Sequence, residues 1–171
     1  MTIRRIVKAG HPALSRIADP IEDPTDPKVA ALVVDMIDSL AESGGIGLAA
    51  PQIGEAVRVV LYSVPASRCE REEDAQPMTI LINPVITPIG QEIVEGWEGC
   101  LSMPGMRGLV PRYNRLHLSW QTLQGERHER DLHGYHARVV QHECDHLEGR
   151  LYPTRMTDLT KLVYLDELTD D

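Results

Sequence analysis

Three things are scarce in this chain. Cysteine occurs at only three positions, 69, 100 and 144, and an odd, sparse set does not build a disulfide framework, so any cysteine with a role acts as a thiol or thiolate. No run of about 18 apolar residues exists, which excludes a membrane-spanning helix. The opening "MTIRRIVKAGHPAL" carries arginines but no apolar core long enough for a signal peptide. A cytoplasmic protein with no membrane partner is therefore expected. Basic charge is scarce too: 17 Lys and Arg face 26 Asp and Glu, a net charge of -9, which argues against holding DNA through a broad basic surface. No internal repeat, low-complexity tract or linker divides the sequence. What is present, 171 residues of which 42% are hydrophobic and 25% charged, suits one domain with its own core. Its expected limits are 1–171, with 155–171 as a tail whose packing is left open.

Periodicity gives the coarse architecture. In "KVAALVVDMIDSLAESGG", Val29, Leu32, Val33, Met36, Ile37 and Leu40 recur three and four apart, one stripe of an amphipathic helix. Asp26 can cap its start, Pro27 fits the first turn, and Gly44 or Gly45 ends it. From 57 to 132 the stretches "VRVVLY", "TILINPVI", "QEIVEGW", "LVPRYNRLHLSWQTL" and "RHERDLHG" are short, rich in β-branched residues and punctuated by Pro, Gly and Asn, as antiparallel strands are. Between two of them, "ASRCEREEDAQP" is charged and poor in apolar residues, an exposed loop in which Cys69 has no assigned role. A second helix is predicted from about Tyr135 to Glu148, with Ala137, Val140, Cys144 and Leu147 at helical spacing and Gly149 closing it. The fold class is α+β: antiparallel sheets packed around a central helix, with an amphipathic helix near the N-terminus.

That second helix contains "HECDH" at 142 to 146. Two histidines four apart lie one turn up and about 40° round, so both rings can reach one cation, the geometry behind H-E-x-x-H metal sites. The bland alternative is a polar helix face that matches five letters by accident. Two protein ligands are also too few for a catalytic site, which commonly has three. Downstream only carboxylates are available, Glu148, Asp158, Asp166, Glu167, Asp170 and Asp171, with Asp166 and Glu167 the strongest rivals. Upstream, "EGWEGCLSMPG" offers Cys100, a better donor than a carboxylate for a soft or borderline metal, though taken alone a free cysteine reads better as a small buried hydrophobe. The stretch "GGIGLAAPQIG" at 44 to 54 reads as a tight connector, yet it carries Gln52, whose amide can donate to a developing oxyanion, and backbone at Ile46 and Gly47 able to pair with an extended peptide.

Three separated motifs, "GIGLAAPQ" at 45 to 52, "EGCLS" at 98 to 102 and "QHECDH" at 141 to 146, occur in the order and with the approximate spacing of the peptide deformylase family, which the chain resembles. The similarity extends through "INP" at 82 to 84 and "LVPR" at 109 to 112. It implies a hydrolase that removes the formyl group from the N-terminal formyl-methionine of newly made polypeptides and releases formate, acting in co-translational N-terminal processing. It implies that Cys100, His142 and His146 hold one divalent cation, Fe(II) foremost, with Zn(II), Ni(II) and Co(II) as alternatives. It further implies Glu143 as general base, with the Gln52 amide and the Leu101 backbone N–H steadying the oxyanion. Ile46, Tyr135 and Val139 match positions around the methionine side chain, while Gly47, Gly99 and Arg107 match positions along the peptide. Arg107 is expected to pair with Glu98 or to touch substrate. Arg138 and Tyr135 are less aliphatic than a simple methionine pocket requires. Asp145 reads equally as a solvated helix carboxylate and as a support for the histidines.

The tail departs from the resemblance. Several members end in a basic helix associated with ribosome docking, whereas Thr157 to Asp171 holds five acidic residues and one lysine, so electrostatic docking on RNA through this tail is not expected. Leu159, Leu162, Val163, Leu165 and Leu168 are expected to pack on the body or on a second subunit. Two rival readings accompany the deformylase: an endopeptidase whose third ligand is Asp166 or Glu167, and a non-catalytic peptide-binding module that uses its metal structurally.

Overall fold

The computed structural model describes residues 2–168 apart from 70, 71, 73 and 74. Helix α1 spans Pro27–Ser43; the Asp26 side chain accepts a hydrogen bond from the Lys28 N–H and Gly44 closes it in the left-handed region at φ 68°, the start and stop signals carried by the sequence. Val29, Val33, Met36 and Leu40 are buried, while Ile37 is 37% exposed and so sits at the edge of the predicted stripe.

Among the described residues eight strands follow in chain order: β1 Gly47–Ala49, β2 Val59–Val64, β3 Gln76–Pro88, β4 Ile93–Cys100, β5 Met103–Tyr113, β6 Arg115–Gln121, β7 Arg127–His133 and, in the tail, β8 Leu162–Tyr164. All pairings are antiparallel. They form a five-stranded sheet in the order β1-β2-β3-β6-β7 and a three-stranded sheet in the order β4-β5-β8. Sequence patterning ran β5 and β6 together in one stretch; the structure breaks the run at Asn114 and sends the two halves to different sheets. It also missed β1 and β8, three residues each, because so short a strand has no measurable alternation.

Helix α2, Gly134–Leu147, packs against β1, β2 and β3 and also touches β5, so it lies between the two sheets. It is buried on almost every side, and its buried set includes Arg138, Gln141, Glu143, Asp145 and His146. The chain contains no phenylalanine, and two aliphatic clusters fill the interior: one joins β2, β3, β6 and α2 around Val60, Leu81, Leu118 and Val140, the other joins α1 to β1 and β2 around Met36, Leu40, Leu48 and Leu61. The N-terminal segment ties the site loops down. The Val7 N–H donates to the Gln52 carbonyl at 2.8 Å and the Ala9 N–H to the Ser102 carbonyl at 2.9 Å. The tail packs on its own body: Leu162, Val163 and Tyr164 pair with Gly108, Arg107 and Met106 of β5.

The register of α1 makes a stability prediction. Met36 is fully buried, so Met36→Ala removes contacts and leaves a void, and urea unfolding should show a loss of about 2–5 kcal/mol. Ile37→Ala, one position round the helix, should cost under about 1 kcal/mol.

Candidate metal centre and peptide cleft

Because α2 is wedged between the sheets, its histidines face the end of β4. The sulfur of Cys100 and one ring nitrogen from each of His142 and His146 all lie within 4.8 Å of one another, and Cys100 Sγ is 3.4 Å from His146 Nε2. Donors around a tetrahedral dication, with M–S of about 2.3 Å and M–N of about 2.1 Å, sit about 3.6 Å apart, so this donor set fits such an ion in spacing and in chemistry. Among the described residues no carboxylate joins the group. Asp166 and Glu167 are therefore not third ligands here, while Asp170 and Asp171 lie outside the described residues.

The imidazoles are held from behind. Glu98 Oε2 is 2.8 Å from His142 Nδ1, which leaves Nε2 of that ring for the cation. The same carboxylate accepts from Arg112 Nε at 2.9 Å, Arg112 Nη2 at 3.0 Å and Arg138 Nη1 at 2.8 Å. Burial opposes a charge on Glu98, but the hydrogen bonds from His142 and Arg112 outweigh it and lower its pKa to about 2. Arg112 also donates to Asp145 at 2.6 Å, and Arg155 grips Asp145 from the other side at 2.6 Å. Asp145 is thus neither solvated nor bonded to a histidine; it anchors Arg112, which anchors Glu98, which orients His142. Burial opposes protonation of His142 as well, yet the neighbouring Cys100 thiol and Glu98 raise its pKa well above the imidazole range, so a metal entering here displaces a proton. Burial, with His142 alongside, pushes His146 well below that range.

Glu143 lies on the same helix, buried, with Oε2 unpartnered among the described residues. Burial raises its pKa to about 7. It packs on Gly47 so closely that a Cβ there would overlap its carboxylate, so any larger residue at that position of β1 would have to displace Glu143. Gln52 follows in the adjoining turn. Its Oε1 accepts from the Ala49 N–H at 2.8 Å, which aims Nε2 at Cys100 Sγ, 3.5 Å away, and Ser102 Oγ, 3.3 Å away.

A cleft of about 370 Å³ opens in front of this group. Its lining includes Ile46, Gly47, Gln52, Gly99, Cys100, Leu101, Arg107, Tyr135, Val139, His142 and Glu143, so residues from all three motifs converge; His146 lies behind them, 1% exposed. β1 is the outer strand of its sheet. The Ile46 carbonyl is already used, accepting from the Ser63 N–H at 2.7 Å, so of the two positions expected to offer backbone to a peptide, Ile46 and Gly47, the first is spent within the sheet. Antiparallel alternation then turns the N–H and C=O of Gly47 toward the open edge.

The model of the polypeptide deformylase family matches residues 3–162. The chain belongs to that family. Peptide deformylase 1 of Bordetella pertussis is 51% identical over 166 residues, covering 97% of this chain and 94% of that protein. A class I type b peptide deformylase from Acinetobacter baumannii, solved with Met-Ala-Ser bound, has a TM-score of 0.81 at 35% identity, covering 90% of this chain and 98% of that one. Peptide deformylase from Thermotoga maritima has a TM-score of 0.82 at 33% identity, covering 92% and 100%.

Set against this deformylase fold, several readings left open by the sequence are decided. Arg107 does not pair with Glu98, whose arginine partners are Arg112 and Arg138; it packs along Gly99 and lines the cleft. Arg138 is 9% exposed and spends its head group on Glu98 and on the Val94 and Val110 carbonyls at 2.6 and 2.8 Å, so it adds little free charge to the pocket. Cys69 is half-buried against the core rather than loose in a solvent-exposed loop. Trp97, Met103, Met106, Arg68 and the tail residue Leu165 line the cleft without having been singled out, and none carries a local sequence signal for it.

The Glu98 contacts lead to two expectations. Glu98→Gln should weaken affinity for a divalent cation about 10–100-fold, read by competition with a chelator. Because the unfolded carboxyl takes up its proton near 4.5 and the folded one near 2, the stability that Glu98 contributes is complete above 4.5 and is lost as pH falls toward 2; acid unfolding of Glu98→Gln should show a smaller dependence on pH in that window.

Proposed function

We propose that the protein is a metal-dependent peptide deformylase that hydrolyses the formyl–nitrogen bond of N-formyl-methionyl nascent polypeptides in the cytoplasm, giving formate and a free amino terminus. The observation that carries this reading is the convergence of Cys100, His142 and His146 within 4.8 Å beside Glu143, at the floor of a cleft whose wall includes an open strand edge.

Cys100, His142 and His146 would hold the cation. When bound, it supplies a Lewis acid for the formyl oxygen and lowers the pKa of water to about 7. The remaining work falls to the chain's own groups. Glu143 takes a proton from the attacking water and passes it to the departing amine, and the acid proton left on the formyl product also ends on the amine, so that water and amide become formate and an ammonium group. The Gln52 amide and the Leu101 N–H donate to the oxyanion, each worth about 3 kcal/mol in comparable sites. Gly47 pairs with the peptide as an added strand, Gly99 and Arg107 border its path, and Val139, Tyr135 and the Ile46 side chain receive methionine, whose unbranched thioether fills apolar space by dispersion. Ferrous iron is the cation we favour, as in the family resemblance; a sulfur and two imidazoles also accept zinc, nickel or cobalt.

Formyl-Met-Ala-Ser incubated without oxygen with metal-loaded protein should release stoichiometric formate; no formate with metal confirmed bound would return the site to a structural role. Glu143→Gln should lower kcat by about 10²–10⁴-fold and Gln52→Ala by about 10²–10³-fold. Protonated Glu143 cannot accept a proton, so kcat/KM should fall with acid along a limb whose midpoint is no higher than about 7, since a neighbouring cation draws a carboxylate's pKa down. Cys100→Ser should lose metal by elemental analysis, whereas the double variant Asp166→Asn, Glu167→Gln should keep it. In the iron form, air should inactivate the protein with oxidation of Cys100 detectable by mass.

A further inference from the structure

The cleft is positive in a protein that is not. The whole chain carries a net charge of -9, yet the cleft lining holds three arginines, 68, 107 and 138, against two carboxylates, Glu98 and Glu143. Both carboxylates are 5% exposed, and Glu98 is neutralised by Arg112 and Arg138. That leaves Arg68 and Arg107 as the charges the cleft shows to a bound peptide. Neither forms an ion pair among the described residues. Arg68 is the more accessible of the two. It ends a short 3-10 turn, Ala66–Arg68, after β2, and its guanidinium lies 5.9 Å from the centre of the Tyr135 ring. Tyr135 stands beside Val139 in the lining, so it gives the guanidinium a fixed platform at the methionine side of the cleft, and a ring face holds a guanidinium in place without neutralising it.

Resting on the deformylase reading above, we propose that Arg68 is a specificity-determining residue that favours nascent peptides carrying a carboxylate one or two residues beyond the formyl-methionine. A peptide lying along the β1 edge directs alternate side chains away from the sheet, and a side chain leaving the methionine end toward the β2–β3 connection meets Arg68. An accessible pair of this kind is worth little in water and is weakened by salt, so the consequence is a graded preference. Backbone pairing still admits neutral sequences.

The test is a panel of C-terminally amidated formyl-Met tripeptides with Asp, Ala or Lys at the second or third position, assayed anaerobically with the metal-loaded enzyme at low ionic strength. The quantity read is the ratio of kcat/KM for Asp over Lys peptides, which cancels any loss of active protein. The wild type should favour Asp by about two- to fivefold at one of the two positions, mainly through KM, and 1 M salt should bring the ratio toward one. Arg68→Glu should invert the ratio, and Arg68→Lys should retain most of it. Comparing amidated with free-acid formyl-Met-Ala-Ala separates a side-chain carboxylate from the peptide's own terminus. A ratio unchanged in Arg68→Glu overturns the proposal, as does a ratio abolished by Arg107→Ala and untouched by Arg68→Glu. Absence of formate from every peptide would instead remove the deformylase reading itself.

Discussion

The buried carboxylate of Glu98 is the junction on which the site depends. It meets one histidine of α2 and two arginines at 2.8 to 3.0 Å, and these groups come from β4, β5 and α2. The contact thus fixes the separation between the three-stranded sheet and the helix, which is the separation that sets how far Cys100 lies from His142. A carboxylate serves here where a hydrophobe would not, because it orients an imidazole while it satisfies two guanidiniums.

Such a network is costly, since several charges leave water, and apolar substitutes are often no less stable in comparable cases. Asp145, Arg112, Glu98, Arg138 and His142 are tolerated because each charge has a hydrogen-bonded counter-charge. The stability comes from elsewhere, from the aliphatic clusters on either side of β2 and from the N-terminal segment that laces over the Gln52 and Ser102 loops. The division separates tasks: apolar packing holds the fold together, and the polar seam between the sheets sets the site's geometry.

The two glycine-rich motifs acquire their meaning from α2. Gly47 has no room for a Cβ because Glu143 occupies it, so the "GIGLAAPQ" stretch sets the distance between a buried carboxylate and the open strand edge. Gln52, clamped through Oε1 by the Ala49 N–H, presents its amide nitrogen to the same point. Neither constraint is visible in the helix or in the loop alone, since each arises only where the two meet.

How much was legible beforehand differs by element for physical reasons. The first helix was read with both caps because its signals are local: Asp26, Pro27 and Gly44 act within a turn of the backbone they terminate. The candidate metal donors could be named from the motifs, yet residue by residue Asp166 and Glu167 stayed rivals to Cys100, since the distance between a strand end and a helix face is not encoded locally. Whether Arg107 meets Glu98 or faces the cleft stayed open, because arginines on one strand look alike until the fold places them; it is Arg112, five residues further along, that meets Glu98. β1 and β8 escaped notice because three-residue strands are created by their neighbours. By itself, then, the sequence determined which chemical groups this protein has and where its two helices begin and end, because composition, periodicity and caps are short-range properties. Only the tertiary structure decided which sulfur faces which imidazoles, which arginines are spent on Glu98 and Asp145, and that one edge strand lies open beside the site, because each of those follows from two sheets closing on a helix.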